Sequence, residues 1–206
     1  HKEALVAALL SEEQARKVFI FCKTRVQCEQ LSNVLKYKKF KANCIHGEIP
    51  QSERKQIMHK FRQGSVEVLV ATDLAARGLD IDNVDLVINF SIASSGDDHT
   101  HRIGRTGRAG QEGKAVTLID SNEWNQMSSI ERYLKIRFEH RTIAGLKANY
   151  SGPKNIKKSG KAAGAKKKKT AVNKAKTTTA KRPKKSRKNP KAQSNTNDGF
   201  DVLKKR

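Results

Sequence analysis

"VEVLVATDLAARGLD", residues 66 to 80, passes from an apolar run into a short helix-like turn and out again. The run is brief and rich in valine, which suits a strand buried on both faces. Thr72 and Asp73 end it, Arg77-Gly78 breaks the short helix that follows, and Asp80 comes next. Four other runs share its character: "VFIFC" (18–22), "ANCIH" (42–46), "VDLVINF" (84–90) and "KAVTLID" (114–120). Between them the apolar period changes to that of a helix. Residues 25–38 place Val26, Leu31, Val34 and Leu35 on one stripe, and 50–62 do the same with Ile57, Met58 and Phe61. Residues 2–14 and 122–136 read as flanking helices. Strands alternating with helices predict an α/β fold, a parallel sheet with helices on both faces. Ligands of such sheets bind at the carboxyl ends of the strands, in the loops that follow.

The chain has 206 residues and a formal charge of +23, unevenly spread. Residues 1–150 hold 23 Lys and Arg against 18 Asp and Glu; residues 151–206 hold 20 against 2. The first part is a nearly balanced globular sequence, while the second is a polycation with too few large apolar residues to offset the entropy of ordering. The sequence therefore divides into a domain over 1–150 and a disordered, lysine-rich tail over 151–206. Such a field favours nucleic acid over an anionic membrane surface. Cys22, Cys28 and Cys44 form no CxxC pair and no zinc spacing with a histidine, so they read as buried free thiols of a reducing compartment. No apolar run of about 18 residues is present. The chain opens on His1, already inside an amphipathic pattern, and is expected to be the C-terminal piece of a longer protein.

Each strand end carries candidate chemistry. After the first strand, Thr24 and Arg25 fall at a strand-to-helix turn, where free amides and a hydroxyl suit a phosphate; Thr24 equally suits an ordinary N-cap. After the second, Gly47 allows a tight turn, and Gln51 and Arg54 share one face of a first helical turn opened by Pro50. That arrangement fits a nucleic-acid backbone or a solvated helix start. After the third, Asp80 beside Gly78 suits a ribose hydroxyl or a turn cap. The stretch "HRIGRTGRAG" (101–110) puts Arg102, Arg105 and Arg108 three apart with glycines between. If 101–109 is helical, the three guanidinium groups fall in one narrow sector. Guanidinium forks bind phosphate oxygens in pairs, and the glycines clear the way for a ligand.

Together "VFIFCKT", "HGEIPQSER", "VLVATDLAARGLDI" and "HRIGRTGRAG" resemble, in order and spacing over about residues 1–148, the second RecA-like core domain of DEAD-box RNA helicases of superfamily two. The lysine-rich tail and the approach "SGDDHTHRIGR" resemble bacterial SrmB- and RhlE-type members linked to ribosome assembly. The resemblance implies a catalytic role for Arg105 and Arg108 at the terminal phosphates of ATP, with Arg108 as arginine finger. It implies that Asp80 holds the ATP ribose and that His101 and Arg102 couple nucleotide, RNA and first domain. It assigns RNA-backbone contacts to Thr24, Gly47, Gln51, Arg54, Thr72 and Gly78, which carry no sequence code. ATP with Mg2+ is the implied cofactor pair, the metal being held by the first domain. That N-terminal RecA-like domain of the same protein, RNA and pre-ribosomal particles are the implied partners, with no membrane. A bacterial cytoplasmic setting is expected, or a nucleolar or nuclear one in a eukaryote, where "KRPKKSRK" (181–188) would serve as an address.

Departures from the family are "NFSIA" (89–93) where "NYDLP" is usual, Glu48 for a commoner aspartate, and His99 where the family has an aromatic near the nucleotide. No GxxxxGK[ST] phosphate loop and no "DEAD" occur, so the fragment alone is expected neither to hydrolyse ATP nor to unwind RNA. The alternative is a stand-alone, non-catalytic RNA-binding or annealing module.

Overall fold

Five short strands lie side by side in one sheet, in the order β2-β3-β1-β4-β5, all parallel. The strands are β1 (Val18–Cys22), β2 (Ala42–Ile45), β3 (Val68–Thr72), β4 (Leu86–Asn89) and β5 (Lys114–Thr117). The helices are α1 (Lys2–Glu13), α2 (Arg25–Tyr37), α3 (Gln51–Arg62), α4 (Asp73–Ala76), α5 (Gly96–Ile103) and α6 (Trp124–Leu134). The computed structural model describes residues 1–79, 81, 84–107, 113–143, 145, 146, 150 and 152–162. The parallel sheet with helices on both faces expected from the alternating pattern is the fold observed, in keeping with the RecA-like domain that the resemblance implies.

Strand alternation builds two cores. Val18, Ile20 and Cys22 of β1 face one side with Val68 and Val70 of β3, and meet Val6 and Leu9 of α1 and Leu31 and Leu35 of α2. Phe19 and Phe21 face the other side with Leu69 and Ala71, and meet Ile57, Met58 and Phe61 of α3 and Ala75 of α4. Every residue of β1 is buried, as a central strand covered on both faces requires. The sheet edge departs from the sequence expectation. Lys114 and Ala115 of β5 are exposed and only the second half is partly covered, because β5 has a neighbour on one side only. A second departure lies in α2, whose buried stripe is Cys28, Leu31, Ser32 and Leu35, spaced i, i+3, i+4, i+7. Val26 sits in the first turn, beyond the covered part of the face, and is 49% exposed.

Past residue 150, where the composition changes, the chain still packs. Trp124 Nε1 and Ser128 Oγ of α6 both donate to the Gly160 carbonyl, at 3.2 and 2.8 Å. Asn125 Oδ1 accepts from the Ala162 N–H at 2.8 Å, and an antiparallel bridge pairs Ile156 with Ala162. Gly152, at φ +114°, lies against the Trp124 ring, where a Cβ would come within 3.1 Å. Residues 163–206, which carry most of the tail charge, lie outside the described residues.

Candidate functional site

Because all five strands run the same way, the loops after β1, β2, β3 and β4 open on one edge of the sheet. Thr24 ends the first of them. Its hydroxyl accepts from the Gln27 N–H at 3.2 Å and caps α2, while the Lys23–Arg25 turn stays exposed. Arg25 forms an ion pair with Glu48, which ties the loops after β1 and β2. Gly47 is exposed in a turn closed by the Ile49 N–H on the His46 carbonyl. Gln51 is exposed at the start of α3, and Arg54 donates through Nη2 to the Ala75 carbonyl at 2.9 Å. After β3, the Thr72 hydroxyl accepts from the Ala75 N–H at 3.4 Å and starts α4. Gly78, at φ +72°, turns the chain away after Arg77, a backbone conformation that favours glycine.

α5 begins at Ser95, whose hydroxyl accepts from the Asp98 N–H at 3.0 Å. Asp97 and Asp98 occupy its first turn and His101 and Arg102 its last, matching charge to the helix dipole. The helix stops at Gly104. Over the described residues 101–107, the structure does not meet the helical condition set on 101–109. Gly104 and Arg105 make a turn, closed by the Arg105 and Thr106 N–H groups on the Arg102 and Ile103 carbonyls, and Thr106 then pairs with Val84 in a parallel bridge, with its hydroxyl donating to the Val84 carbonyl. Arg102 and Arg105 therefore sit on different structures, one in a helix and one beyond it.

Arg102 is 3% exposed, and the anion facing it is internal. Its Nε and Nη2 donate to the two carboxylate oxygens of Asp73, both at 2.7 Å. Nη1 donates to Asn89 Oδ1 at 3.1 Å and to the Ser91 carbonyl at 2.7 Å, and the guanidinium lies 5.1 Å from the Phe21 ring centre. This fork clamps α5 to the start of α4, directly after β3. Neither Asp73 nor Asn89 stood out as a site residue, yet one signal was legible. Asn89 breaks the apolar run "LVIN", is fully buried, and must find polar partners. It has them in Arg102 and in Thr117 Oγ1, to which its Nδ2 donates at 3.0 Å.

Beside the clamp lies a cleft of ≈330 Å³, floored by Phe21 and Asp73 and rimmed by Arg77, Gly78, Asp98, His101 and Arg105. Its size is that of a small-ligand site. Since the Arg102 fork already neutralises Asp73, Arg77 and Arg105 outnumber Asp98 at the rim, which suits an anionic ligand. Gly78, His101, Arg102 and Arg105 are thus brought together. Thr24, Gly47, Gln51, Arg54 and Thr72 line the same sheet edge without entering the cleft. Asp80 and Arg108 lie outside the described residues. His99, which stands where the family has an aromatic, is 3% exposed and packs on the Phe138 ring at 5.2 Å, because α5 turns it inward. Burial, with Arg102 nearby, holds its imidazole below the ordinary histidine range. Among the described residues no group of three or more His, Cys, Asp or Glu is arranged to hold a metal ion, so no magnesium ligand is assigned to them. Cys22, Cys28 and Cys44 are free thiols; a hydrogen bond with Cys28, then burial, pushes the Cys22 thiol up.

Residues 1–110 match the family model for the helicase conserved C-terminal domain. The ATP-dependent RNA helicase SrmB of Haemophilus influenzae is 37% identical over 75% of this chain and 35% of its own length. The chain belongs to the DEAD-box helicases. A crystal structure of Escherichia coli DEAD-box protein SrmB, bound to regulator of ribonuclease activity A, matches this DEAD-box domain with a TM-score of 0.71 at 36% identity, covering 75% of this chain and 91% of that one. The ATP-dependent RNA helicase DBP8 of Candida albicans is 41% identical over 67% of this chain and 32% of its own length. This DEAD-box chain spans about a third of the length of the curated relatives it matches.

Proposed function

We propose that this chain is the C-terminal half of an ATP-dependent RNA helicase that locally unwinds or remodels RNA duplexes. What supports the reading above all is the Arg102–Asp73 fork, which sets Arg77, His101 and Arg105 around one cleft beside the loop that leads to Asp80. Asp80 takes the ribose of ATP. Arg105 and Arg108 meet the terminal phosphates, and Arg108 stabilises the charge that develops in phosphoryl transfer. The phosphate loop and the magnesium carboxylate belong to a first RecA-like lobe, which would hold Mg2+ to offset phosphate charge. Thr24, Gly47, Gln51, Arg54, Thr72 and Gly78 contact the RNA backbone, without a sequence code. Closure of the two lobes bends the bound strand out of duplex geometry, so short duplexes come apart locally. Ribosome assembly or related RNA metabolism, with pre-ribosomal particles as partners in a bacterial cytoplasm, is the setting this reading favours.

In the full-length protein, Arg108→Ala lowers ATP turnover by roughly three orders of magnitude. RNA affinity stays nearly intact, as ATPase and RNA-binding titrations will read. Equal loss of both would show that Arg108 does not face the nucleotide. RNA-stimulated ATP turnover by the isolated 206 residues would overturn the division of labour between two lobes.

A further inference from the structure

We infer that Gln27 and Ser91 are positioning residues, through which RNA held at the start of α2 acts on the arginine segment and stimulates ATP hydrolysis. The inference rests on the helicase reading above. Gln27 stands half-buried behind the exposed Lys23–Arg25 turn, and its Oε1 accepts both from the Lys23 N–H and from the Ser91 hydroxyl, each at 3.1 Å. Ser91, 5% exposed, faces two ways. Its hydroxyl lies toward α2, where Oγ is also 3.3 Å from the Lys23 N–H; its carbonyl accepts from Arg102 Nη1 at 2.7 Å. Arg102 then forks onto Asp73. One unbroken series of hydrogen bonds therefore runs from the cap at Thr24 to the floor of the cleft.

Packing alone does not call for this pair. An alanine at 91 and a leucine at 27 would fill the same space without a buried hydroxyl and a half-buried amide to satisfy. Polar pairs kept in a low-dielectric interior strengthen one another and fix geometry. The Lys23 N–H is also shared, in one three-centre contact with Gln27 Oε1 and Ser91 Oγ, which leaves the choice of oxygen open to it. A phosphate drawn onto the Lys23–Arg25 turn moves that N–H and tips the choice. The tilt reaches Arg102 through the Ser91 carbonyl, and from there the rim at His101 and Arg105. A two-arrangement element biased from both ends is what coupling between sites requires.

The test measures basal and RNA-stimulated ATP turnover, RNA affinity and melting temperature in the full-length protein. Ser91→Ala and Gln27→Leu each lower stimulated turnover about fivefold, the equivalent of one hydrogen bond, with basal turnover and RNA affinity within about twofold. The double variant falls no further than either single, since both cut one path. Gln27→Glu keeps the accepting oxygen and retains stimulation, which separates positioning from loss of fold. Full stimulation in Ser91→Ala and Gln27→Leu, additive losses, or matching losses of basal and stimulated turnover would each overturn the inference. A wild-type protein whose ATP turnover ignores RNA would instead remove the helicase reading, a distinct outcome.

Discussion

Arg102 and Asp73 share one ion pair but not one environment: the arginine side chain is 3% exposed and the aspartate 36%. Removing the aspartate leaves a buried cation unpaired, whereas removing the arginine takes the buried charge away. Asp73→Ala therefore costs on the order of 3–5 kcal/mol of unfolding free energy, and Arg102→Met less, since it removes the charge but takes a partner from Asn89 Oδ1 and from the Ser91 carbonyl. The double variant behaves like Arg102→Met alone. Denaturant melts of the four proteins check this, and equal single costs would refute the asymmetry. His99 supplies a pH test. Its folded pKa lies below its unfolded one, so the unfolded chain takes up the proton first as pH falls. The neutral buried ring thus contributes stability above about pH 6.5 that is lost below it. His99→Phe keeps the contact with Phe138 and flattens that loss, as thermal melts between about pH 7.5 and about pH 5.5 will read. An unchanged slope would assign the effect to another group. Single residues were partly legible: the arginines stood out by spacing, while Asp73 was read only as the end of a strand and Ser91 only as part of the "NFSIA" departure.

At the scale of elements, periodicity located all five strands and the four longer helices, because burial writes a period of two or 3.6 into any chain. It failed where the period was short or interrupted. α5 spans Gly96–Ile103, is mostly polar, and ends at a glycine inside the arginine stretch, so its eight residues offer little periodic signal. The loop after α6 is the other case. Composition reads 152–162 as the start of the tail, yet Trp124, Asn125 and Ser128 hold it by three hydrogen bonds. Truncation after residue 162 should leave stability unchanged. Truncation after residue 150 exposes the Trp124 ring and removes those bonds, costing about 1–3 kcal/mol and shifting tryptophan emission to longer wavelength. Trp124 is the chain's single tryptophan, so the fluorescence has one source. Identical melts for the two truncations would show that the strap contributes nothing.

For the whole molecule, charge decides how RNA is held. Residues 163–206 carry 16 Lys and Arg against 2 Asp. Lysine runs bind phosphate by releasing counterions, with a slope of log K against log salt near 0.7 per phosphate neutralised on a single strand. Deleting 163–206 should flatten that slope by about three units or more while weak binding by the core persists. Filter-binding titrations over a range of salt read both quantities. An unchanged slope would reduce the tail to a solubilising segment.

By itself the sequence determined the strand–helix alternation, the uneven charge and the family, since each depends on residues close together in the chain or on their sum. Tertiary structure alone decided that Arg102 meets Asp73, 29 residues away, and that His99 turns inward on Phe138. It likewise decided that Ser91 joins α2 to α5. The physical reason is range. Periodicity records which face of an element is buried, but hydrogen bonds and ion pairs act over a few ångströms, and which loops come that close is set by the order β2-β3-β1-β4-β5.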